Sequence, residues 1–303
     1  MSKLFMMIGL PGSGKSYQAK ILSEKEDAKI FSSDDYRIKL HLDFEEFDKE
    51  SNRELFFNLE VDLVNCLADN KNAIFDACNL NSKKRRNLLN NVKYLGCEKI
   101  AVLVLRKIDR CIKANYERDR HVPEDIIRKY YKSFQVPYLE EGFDRIEVIY
   151  TDNDENSIPE DDYITKYYDY DQNSKFHEYT LGLHSLFTYL YCKIHFEADL
   201  ELFKAAFLHD IGKPFCRTEL TYKGFKDGYS HYYGHDSVGA YESLFIKYNE
   251  PVDKLLIAFI INNHMRPLTW KGSQKAMKND REKWRDLKFN LILKLNEADS
   301  NSH

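Results

Sequence analysis

The sequence predicts an α/β unit followed by an all-α unit. Three observations carry that expectation. Strand-length apolar runs alternate with helical patterns as far as Tyr150, a glycine-rich loop sits between the first such run and the first helix, and helical periods with almost no strand signal fill the chain after residue 173. A chain of 303 residues has room for two domains of ordinary size. The expected boundaries are residues 1–150 for the α/β unit, 151–172 for an acidic linker and 173–303 for the helical unit.

In order, Lys3–Ile8 is an apolar run of strand length, residues 9–16 are glycine-rich, and residues 17–23 open a helix. Residues 29–32 read as a second strand. Over residues 51–69, Leu55, Phe56, Leu59, Leu63 and Leu67 recur at helical spacing. Residues 72–75 form another short apolar run, which stops at Asp76. A basic helix is expected over residues 82–94 and a strand rich in Val and Ile over 99–105. Helices follow at residues 108–119 and 123–134, the latter with Pro123 at an allowed first position, and a last short strand at 148–150. Strands spaced by helices imply a parallel sheet covered on both faces. Beyond the acidic stretch, helices are expected over residues 180–195, 200–210, 237–248, 252–263, 274–279 and 281–300.

Composition excludes several classes. The net charge is −4, with 43% hydrophobic and 31% charged residues, while Gly (12) and Pro (7) are too scarce for a collagen-like or low-complexity chain. No stretch approaches the roughly 20 apolar residues of a membrane span. Residues 1–10 lack the basic start and small-residue cleavage site of a signal peptide. The six cysteines (Cys66, Cys78, Cys97, Cys111, Cys192, Cys216) form no CxxC pair, so free buried thiols in a reducing cytoplasm are expected. Residues 151–171 carry eight acidic and one basic side chain, so the acidic excess is local. The near-neutral remainder leaves nucleic acid open, provided that local clusters supply the phosphate contacts.

Gly9 to Ser16 reads GLPGSGKS and fits G-x-x-x-x-G-K-[ST] with a strand before it and a helix after. Gly12, Ser13 and Gly14 let backbone N–H groups face a phosphate, and the helix N-terminus adds a favourable partial charge. Lys15 is positioned for the β/γ-phosphates of ATP or another nucleoside triphosphate, and the Ser16 hydroxyl for Mg²⁺. The acceptor side is read from SDDYR at residues 33–37. Asp34 or Asp35 suits a base for an acceptor hydroxyl, with Asp34 preferred, and Arg37 suits a phosphate on the acceptor. One of the two acids is expected to cap a helix. Asp76, at a strand end, is placed to hold metal-bound water or to orient the arginine. The run Lys83-Lys84-Arg85-Arg86 is either a solvated helix face or a phosphate contact. Arg118 and Arg120 are candidates for a mobile arginine over the γ-phosphate, the alternative being surface pairing with Glu117 and Asp119.

GLPGSGKS, SDDYR, FDACNLNSKKRR and ERDRHVPEDIIRKYYKSF, in that order, resemble the kinase domain of the bacteriophage polynucleotide kinase–phosphatase family over about the first 145 residues. The resemblance implies transfer of an ATP γ-phosphate to the 5′-hydroxyl end of RNA or DNA. It assigns Lys15 and Ser16 to the triphosphate and metal, Asp34 to general base, Arg37 to the acceptor phosphate with Asp76 supporting it, and Arg118 to the lid. The spacing from the arginines to Pro123 is shorter than in that family, which leaves Arg118 and Arg120 both open. The DxDGT motif of that family's phosphatase half is missing from the sequence.

Seven of the ten histidines fall in residues 177–264. The adjacent pair His209-Asp210 at a helix end, with His184, His235, His264 and Asp299 from other segments, is a donor set able to hold a divalent metal in a helical core. His177, His195 and His231 are expected outside that set. HDIGKP, HYYGHDSVGA, NHMRP and LNEAD resemble the HD phosphohydrolase superfamily, and within it the HD domain attached to bacterial tRNA nucleotidyltransferases, over roughly residues 175–303. That implies a divalent transition metal (Mn²⁺, Ni²⁺, Co²⁺ or Fe²⁺) on His184, His209, Asp210 and Asp299. His235 and His264 would hold a second metal or the scissile phosphate, and Lys213 would contact phosphate. Together the two halves imply a bifunctional enzyme that heals nucleic-acid ends, RNA or tRNA foremost, as a 5′-kinase and a 3′-phosphatase or 2′,3′-cyclic phosphodiesterase. An RNA ligase would act downstream, and the resemblance points to a phage-encoded protein in a host cytoplasm. The alternatives are a small-molecule or nucleoside kinase fused to a nucleotide phosphohydrolase, and a kinase guided by a non-catalytic RNA-binding HD module.

Overall fold

The structure, a computed structural model, describes residues 1–39, 49–118, 121–176 and 178–302. The chain divides into two compact units. One comprises Met1–Ile127 with Pro137–Asp152, the other Arg128–Val136 with Asn153–His303.

The first unit runs β1 (Lys3–Ile8), α1 (Lys15–Glu26), β2 (Ala28–Ser32), α2 (Ser33–Lys39), α3 (Lys49–Ala68), β3 (Asn72–Asp76), α4 (Ser82–Val92), β4 (Glu98–Leu105), α5 (Ile108–Tyr116), the start of α6 (Glu124–Tyr131), and β5 (Arg145–Tyr150). The strands form one parallel sheet in the order β2-β3-β1-β4-β5. Both faces are covered, and this explains why β1 is apolar from Leu4 to Ile8 rather than alternating. Phe5 and Met7 join Ile74, Ile100, Val102 and Val104 in one buried cluster, while Leu4, Met6 and Ile8 are also buried. Each such side chain contributes roughly 1.5–3 kcal/mol by burial.

This order also positions the site. The chain leaves β1 for β2 and leaves room for β3 between them, so a crevice opens beyond the carboxyl ends of these strands. The β2–β3 register pairs Ser32 with Asp76, which brings the start of α2 beside the end of β3. The loop after β3 is laced to β1: Gly9 N–H donates to the Cys78 carbonyl at 3.1 Å, and the Asn79 amide donates to the Met7 carbonyl at 2.8 Å.

The second unit holds the end of α6, then β6 (Ile158–Pro159), α7 (Glu160–Tyr167), α8 (Leu181–His195), α9 (Leu200–Leu208), α10 (Lys213–Cys216), β7 (Thr218–Leu220), β8 (Lys226–His231), α11 (His235–Ser243), β9 (Ile246–Lys247), α12 (Lys254–Asn263) and α13 (Gln274–Ser300). It is helical, as the sequence predicts. Thr180, Asp199, Asp253 and Ser273 cap α8, α9, α12 and α13, each side chain accepting a backbone N–H and each worth about 1 kcal/mol.

Four features depart from the sequence reading. The two-stranded ladders β6–β9 and β7–β8 were not signalled, because the strands are two to six residues long and KDGYSH of β8 shows no apolar alternation. Two helical segments do make up α13 as expected, but the break between them falls at Arg285 (φ 62°, ψ 171°) rather than at residue 280. The acidic stretch expected as a linker carries α7, where the buried Tyr163 hydroxyl donates to Glu242 at 2.7 Å. Residues Arg128–Val136 count with the second unit. There the Tyr131 hydroxyl donates to Glu242 at 2.6 Å and Val136 N–H to the Asn262 side-chain oxygen at 3.0 Å. All six cysteines are free, and five of them are buried. No helix among the described residues is long and apolar enough to cross a membrane.

Candidate active sites

The first site starts where β1 stops. Gly12 (φ 79°) and Gly14 (φ 94°) adopt left-handed backbone, and a Cβ on Gly12 would fall 2.1 Å from the Cys111 carbonyl oxygen. α1 begins at Lys15, so the unpaired N–H groups of its first turn face the loop. Ser13 is fully buried and its hydroxyl has no hydrogen-bond partner among the described residues. A buried donor without such a partner, inside a glycine cradle at a helix N-terminus, fits a bound phosphate. Lys15 is buried and its ammonium donates to the Leu10 carbonyl at 2.8 Å. The Ser16 hydroxyl hydrogen-bonds Asp76. Burial pushes the Asp76 carboxyl up, while Lys15 and Ser16 pull it back down.

Facing this cradle is a cleft of about 720 Å³ lined by Ser16, Asp34, Asp35, Asp76 and Arg118, among others. Asp34 is half exposed, 2.9 Å from the Arg37 guanidinium and 3.9 Å from that of Arg118. The expectation that an aspartate caps α2 is corrected: the Asp35 N–H donates to the Ser32 hydroxyl at 3.4 Å, which leaves both carboxylates to the cleft. Asp76 sits with Ser16 and Lys15, on the phosphate side of the cleft. Arg120 lies outside the described residues.

The basic run on α4 splits. Lys83 and Lys84 are exposed, whereas Arg85 is fully buried, donating from Nε and Nη2 to the Glu141 carboxylate (2.6 and 2.5 Å) and from Nη1 to the Asn79 carbonyl (2.9 Å). Arg85 is therefore turned into the core, where it joins Glu141 to the loop after β3.

Sequence reasoning missed two supports. Arg106, just past β4, donates to the Gly12 carbonyl at 2.8 Å and to the Thr151 hydroxyl at 3.0 Å, bracing the glycine loop. Buried Asn115 exchanges two hydrogen bonds with the backbone of Val122 (2.8 and 2.9 Å), closing the segment that carries Arg118. Its polar side chain on the buried face of a helix was the available signal.

The second site lies in the second unit. His184 comes from α8, His209 and Asp210 follow α9, His235 opens α11, His264 follows α12, and Asp299 comes from α13. They form two groups, His184–His209–Asp299 and Asp210–His235–His264, whose ligand atoms lie within 4.8 Å of one another in each group. Asp210 joins them. One carboxylate oxygen lies 3.5 and 3.3 Å from Nε2 of His184 and His209, the other 3.2 and 3.7 Å from Nε2 of His235 and His264.

Tautomers decide what this cluster can bind. Nδ1 of His209, His235 and His264 lies 2.8, 2.7 and 2.7 Å from the carbonyls of Ala206, Tyr232 and Ile261, and Nδ1 of His184 lies 3.2 Å from that of Ser302. A carbonyl only accepts, so each Nδ1 donates and each neutral ring turns an Nε2 lone pair inward. The Nε2 atoms then face each other at 3.1 Å (His184 and His209) and 3.2 Å (His235 and His264). Lone pairs so placed repel unless a cation lies among them. Asp299 Oδ1 lies 3.1 and 3.6 Å from Nε2 of His184 and His209 and crowds a further acceptor into the set. The donor set therefore fits divalent metal.

The charges agree. Burial opposes ionisation of Asp210 and Asp299, yet Lys213 with His209 for the first, and His184 with His209 for the second, hold them well below the usual carboxylate range. Burial disfavours a charged His209, but Asp210 and Asp299 push it up to about 10. Burial, then His235 and His209, push His264 down to about 3.

Lys213 is placed differently from the expected phosphate contact. Its buried ammonium is held 2.5 Å from Asp210 and 2.7 Å from the side-chain oxygen of Gln172. Gln172 belongs to the stretch read as a linker, and nothing in its local sequence pointed to it. His195 and His231 stand apart from the cluster, and His177 lies outside the described residues.

Residues 4–137 match the family model of the AAA domain, and residues 181–296 that of the HD domain. Over 149 residues, 46% of this chain and 56% of the relative, the sequence is 27% identical to the L-seryl-tRNA(Sec) kinase of Methanococcus maripaludis. The match thus spans little more than half of that relative. Among solved structures, the Pnkp1/Rnl/Hen1 complex is similar at 22% identity over 47% of this chain and 43% of the other, with a TM-score of 0.36. A gluconokinase from Sinorhizobium meliloti is similar at 12% identity over 50% and 83%, with a TM-score of 0.37. The chain carries a P-loop kinase domain in its N-terminal part and an HD domain in its C-terminal part.

Proposed function

We propose that the protein heals nucleic-acid ends. In this reading the kinase domain phosphorylates a 5′-hydroxyl and the HD domain removes a 3′-phosphate or opens a 2′,3′-cyclic phosphate, with RNA as the substrate. The observation that carries it is the pairing, in one chain, of a phosphate cradle facing Asp34, Arg37 and Arg118 with a separate, bridged His/Asp centre. Many RNA cleavages leave a 5′-hydroxyl and a cyclic phosphate, and joining by common routes needs the opposite arrangement.

At the kinase site, the glycine loop and Lys15 hold the triphosphate of ATP, and Ser16 with Asp76 supports the Mg²⁺ that accompanies it. Asp34 takes the proton of the attacking hydroxyl. Arg37 and Arg118 balance charge on the acceptor and on the transferring phosphoryl group. At the HD site, His184, His209, Asp210 and Asp299 would hold one divalent metal, and Asp210, His235 and His264 a second. Bound metal there supplies an acidified water and a polarised phosphate ester. Lys213, fixed by Gln172, keeps Asp210 ionised and oriented between the two sets.

RNA is favoured over a small metabolite by the kinase relative, whose name gives a tRNA-borne hydroxyl as its substrate. The same relative sustains a second reading, in which the acceptor is a hydroxyl carried on tRNA other than a 5′ end. An oligonucleotide with a 5′-hydroxyl and a 2′,3′-cyclic phosphate, incubated with ATP and Mg²⁺, Mn²⁺, Co²⁺ or Ni²⁺, tests the proposal. Both ends should change. Reaction of free nucleosides or nucleotides with neither oligonucleotide end altered would overturn it.

A further inference from the structure

Between α10 and α11 the chain spends residues 218–235 (TELTYKGFKDGYSHYYGH) on a small hairpin, β7–β8, dense in aromatic side chains. A core does not account for them. Tyr222 is 90% exposed, Phe225 55% and Tyr233 42%. Burying such a side chain would gain roughly 1.5–3 kcal/mol, and here much of that is left unrealised. Clustered exposed apolar surface of this kind marks an interaction site.

The rings are arranged rather than scattered. His231 and Tyr233 are parallel to within 1° and stacked, with centroids 5.7 Å apart, and Tyr222 meets Tyr233 at 73° and 5.9 Å, so the three form one contiguous aromatic patch. His231 is held in place, its Nε2 3.1 Å from Asp227, which Lys175 approaches at 3.2 Å. The hairpin is also tied to the HD centre. Tyr232 donates its hydroxyl to the Gln172 carbonyl, and its own carbonyl accepts Nδ1–H of His235 at 2.7 Å. Gln172 in turn holds Lys213 against Asp210. Four residues from His231 to His235 span at most about 14 Å of chain. Lys175, Arg217 and Lys223 lie on or beside the hairpin and bring positive charge to it.

We infer that His231, Tyr233 and Tyr222 form a stacking shelf for the bases next to the 3′ end of a single-stranded nucleic acid presented to the HD centre. The inference rests on the end-healing reading and adds how the strand is gripped. Aromatic rings suit bases, which offer a π-face whatever their sequence, so grip should be tolerant of sequence.

The test uses the full chain, its Tyr222→Ala and Tyr233→Ala variants, and Tyr233→Phe. Two substrates are compared: an oligonucleotide ending in a 2′,3′-cyclic phosphate and the small diester bis(4-nitrophenyl) phosphate. Strand binding is followed separately by quenching of 2-aminopurine placed next to the 3′ end. Each alanine variant should raise the oligonucleotide KM about 10-fold or more and weaken the quench. The diester rate and the oligonucleotide kcat should hold, and Tyr233→Phe should behave as the parent. An unchanged oligonucleotide KM overturns the shelf, as does an equal loss on the small diester, which would mean that the hairpin only supports the metal-binding cluster. A parent that binds the strand, and loses binding on Tyr233→Ala, while processing neither end keeps the shelf and removes the end-healing reading. A parent that heals ends with unaltered KM in both alanine variants does the reverse.

Discussion

The two sites are built by opposite means. The kinase site is made largely of backbone, and its charged side chains stand half in water: Asp34 is 50% and Arg118 42% exposed. The HD site is made of side chains alone, and His184, His209, Asp210, Lys213 and His264 are all buried. A site that must admit ATP and an acceptor needs an open crevice and a reusable cradle. A site that keeps its cation needs inward lone pairs in a dry core, where uncompensated charge would be costly. The difference teaches where each is vulnerable. The first depends on what closes over it, the second on whether its charges stay balanced.

Substitutions should therefore separate the two. Asp210→Asn removes the charge shared by both histidine sets. Hydrolysis at the 3′ end should fall on the order of 10³-fold or more, beyond the 10–100-fold typical of losing an outer partner of a ligand. Metal content measured on the purified protein should fall with it, and kinase activity should persist. Asp34→Asn should lower kinase kcat by about 10²–10⁴-fold, the usual worth of a positioned base, and leave 3′ processing intact. Loss of both activities in either variant would break the comparison.

Two further variants sharpen it. Glu141→Gln leaves the fully buried Arg85 without its counter-charge and should destabilise the first unit by about 3–5 kcal/mol in denaturant titrations. The double change Arg85→Met/Glu141→Leu should recover most of that loss. The smallest effect is expected for Asn115→Ala, which frees the Val122 end of the segment carrying Arg118. Kinase rates should drop about 10-fold, in line with a lost positioning contact, while the denaturant midpoint moves little.

Legibility followed the same division. The glycine loop is contiguous, so Gly9 to Ser16 could be read directly, and strand–helix alternation exposed the sheet around it. The HD donors span from His184 to Asp299, yet the pair His209-Asp210 and most of its companions were still readable, because they sit in the distinctive runs HDIGKP, HYYGHDSVGA, NHMRP and LNEAD. What the sequence could not reveal was how they meet: that Asp210 faces both histidine sets, that four backbone carbonyls set the tautomers, and that Gln172 holds Lys213. Those facts depend on which segments pack together, and no local pattern encodes them. Arg85 misled for a related reason. A run of four basic residues looks uniform in sequence, while the turn of α4 sends one of them into the core toward Glu141. The segment Arg128–Val136 was likewise assigned to the first unit by proximity along the chain, although its partners are Glu242 and Asn262.

The most direct measurement follows both ends of one labelled oligonucleotide, bearing a 5′-hydroxyl and a 2′,3′-cyclic phosphate, through reaction with the parent, Asp34→Asn and Asp210→Asn. The account predicts two modified ends with the parent, an unmodified 5′ end alone with Asp34→Asn, and an unmodified 3′ end alone with Asp210→Asn. A parent that alters neither end, or a single substitution that silences both, would contradict it.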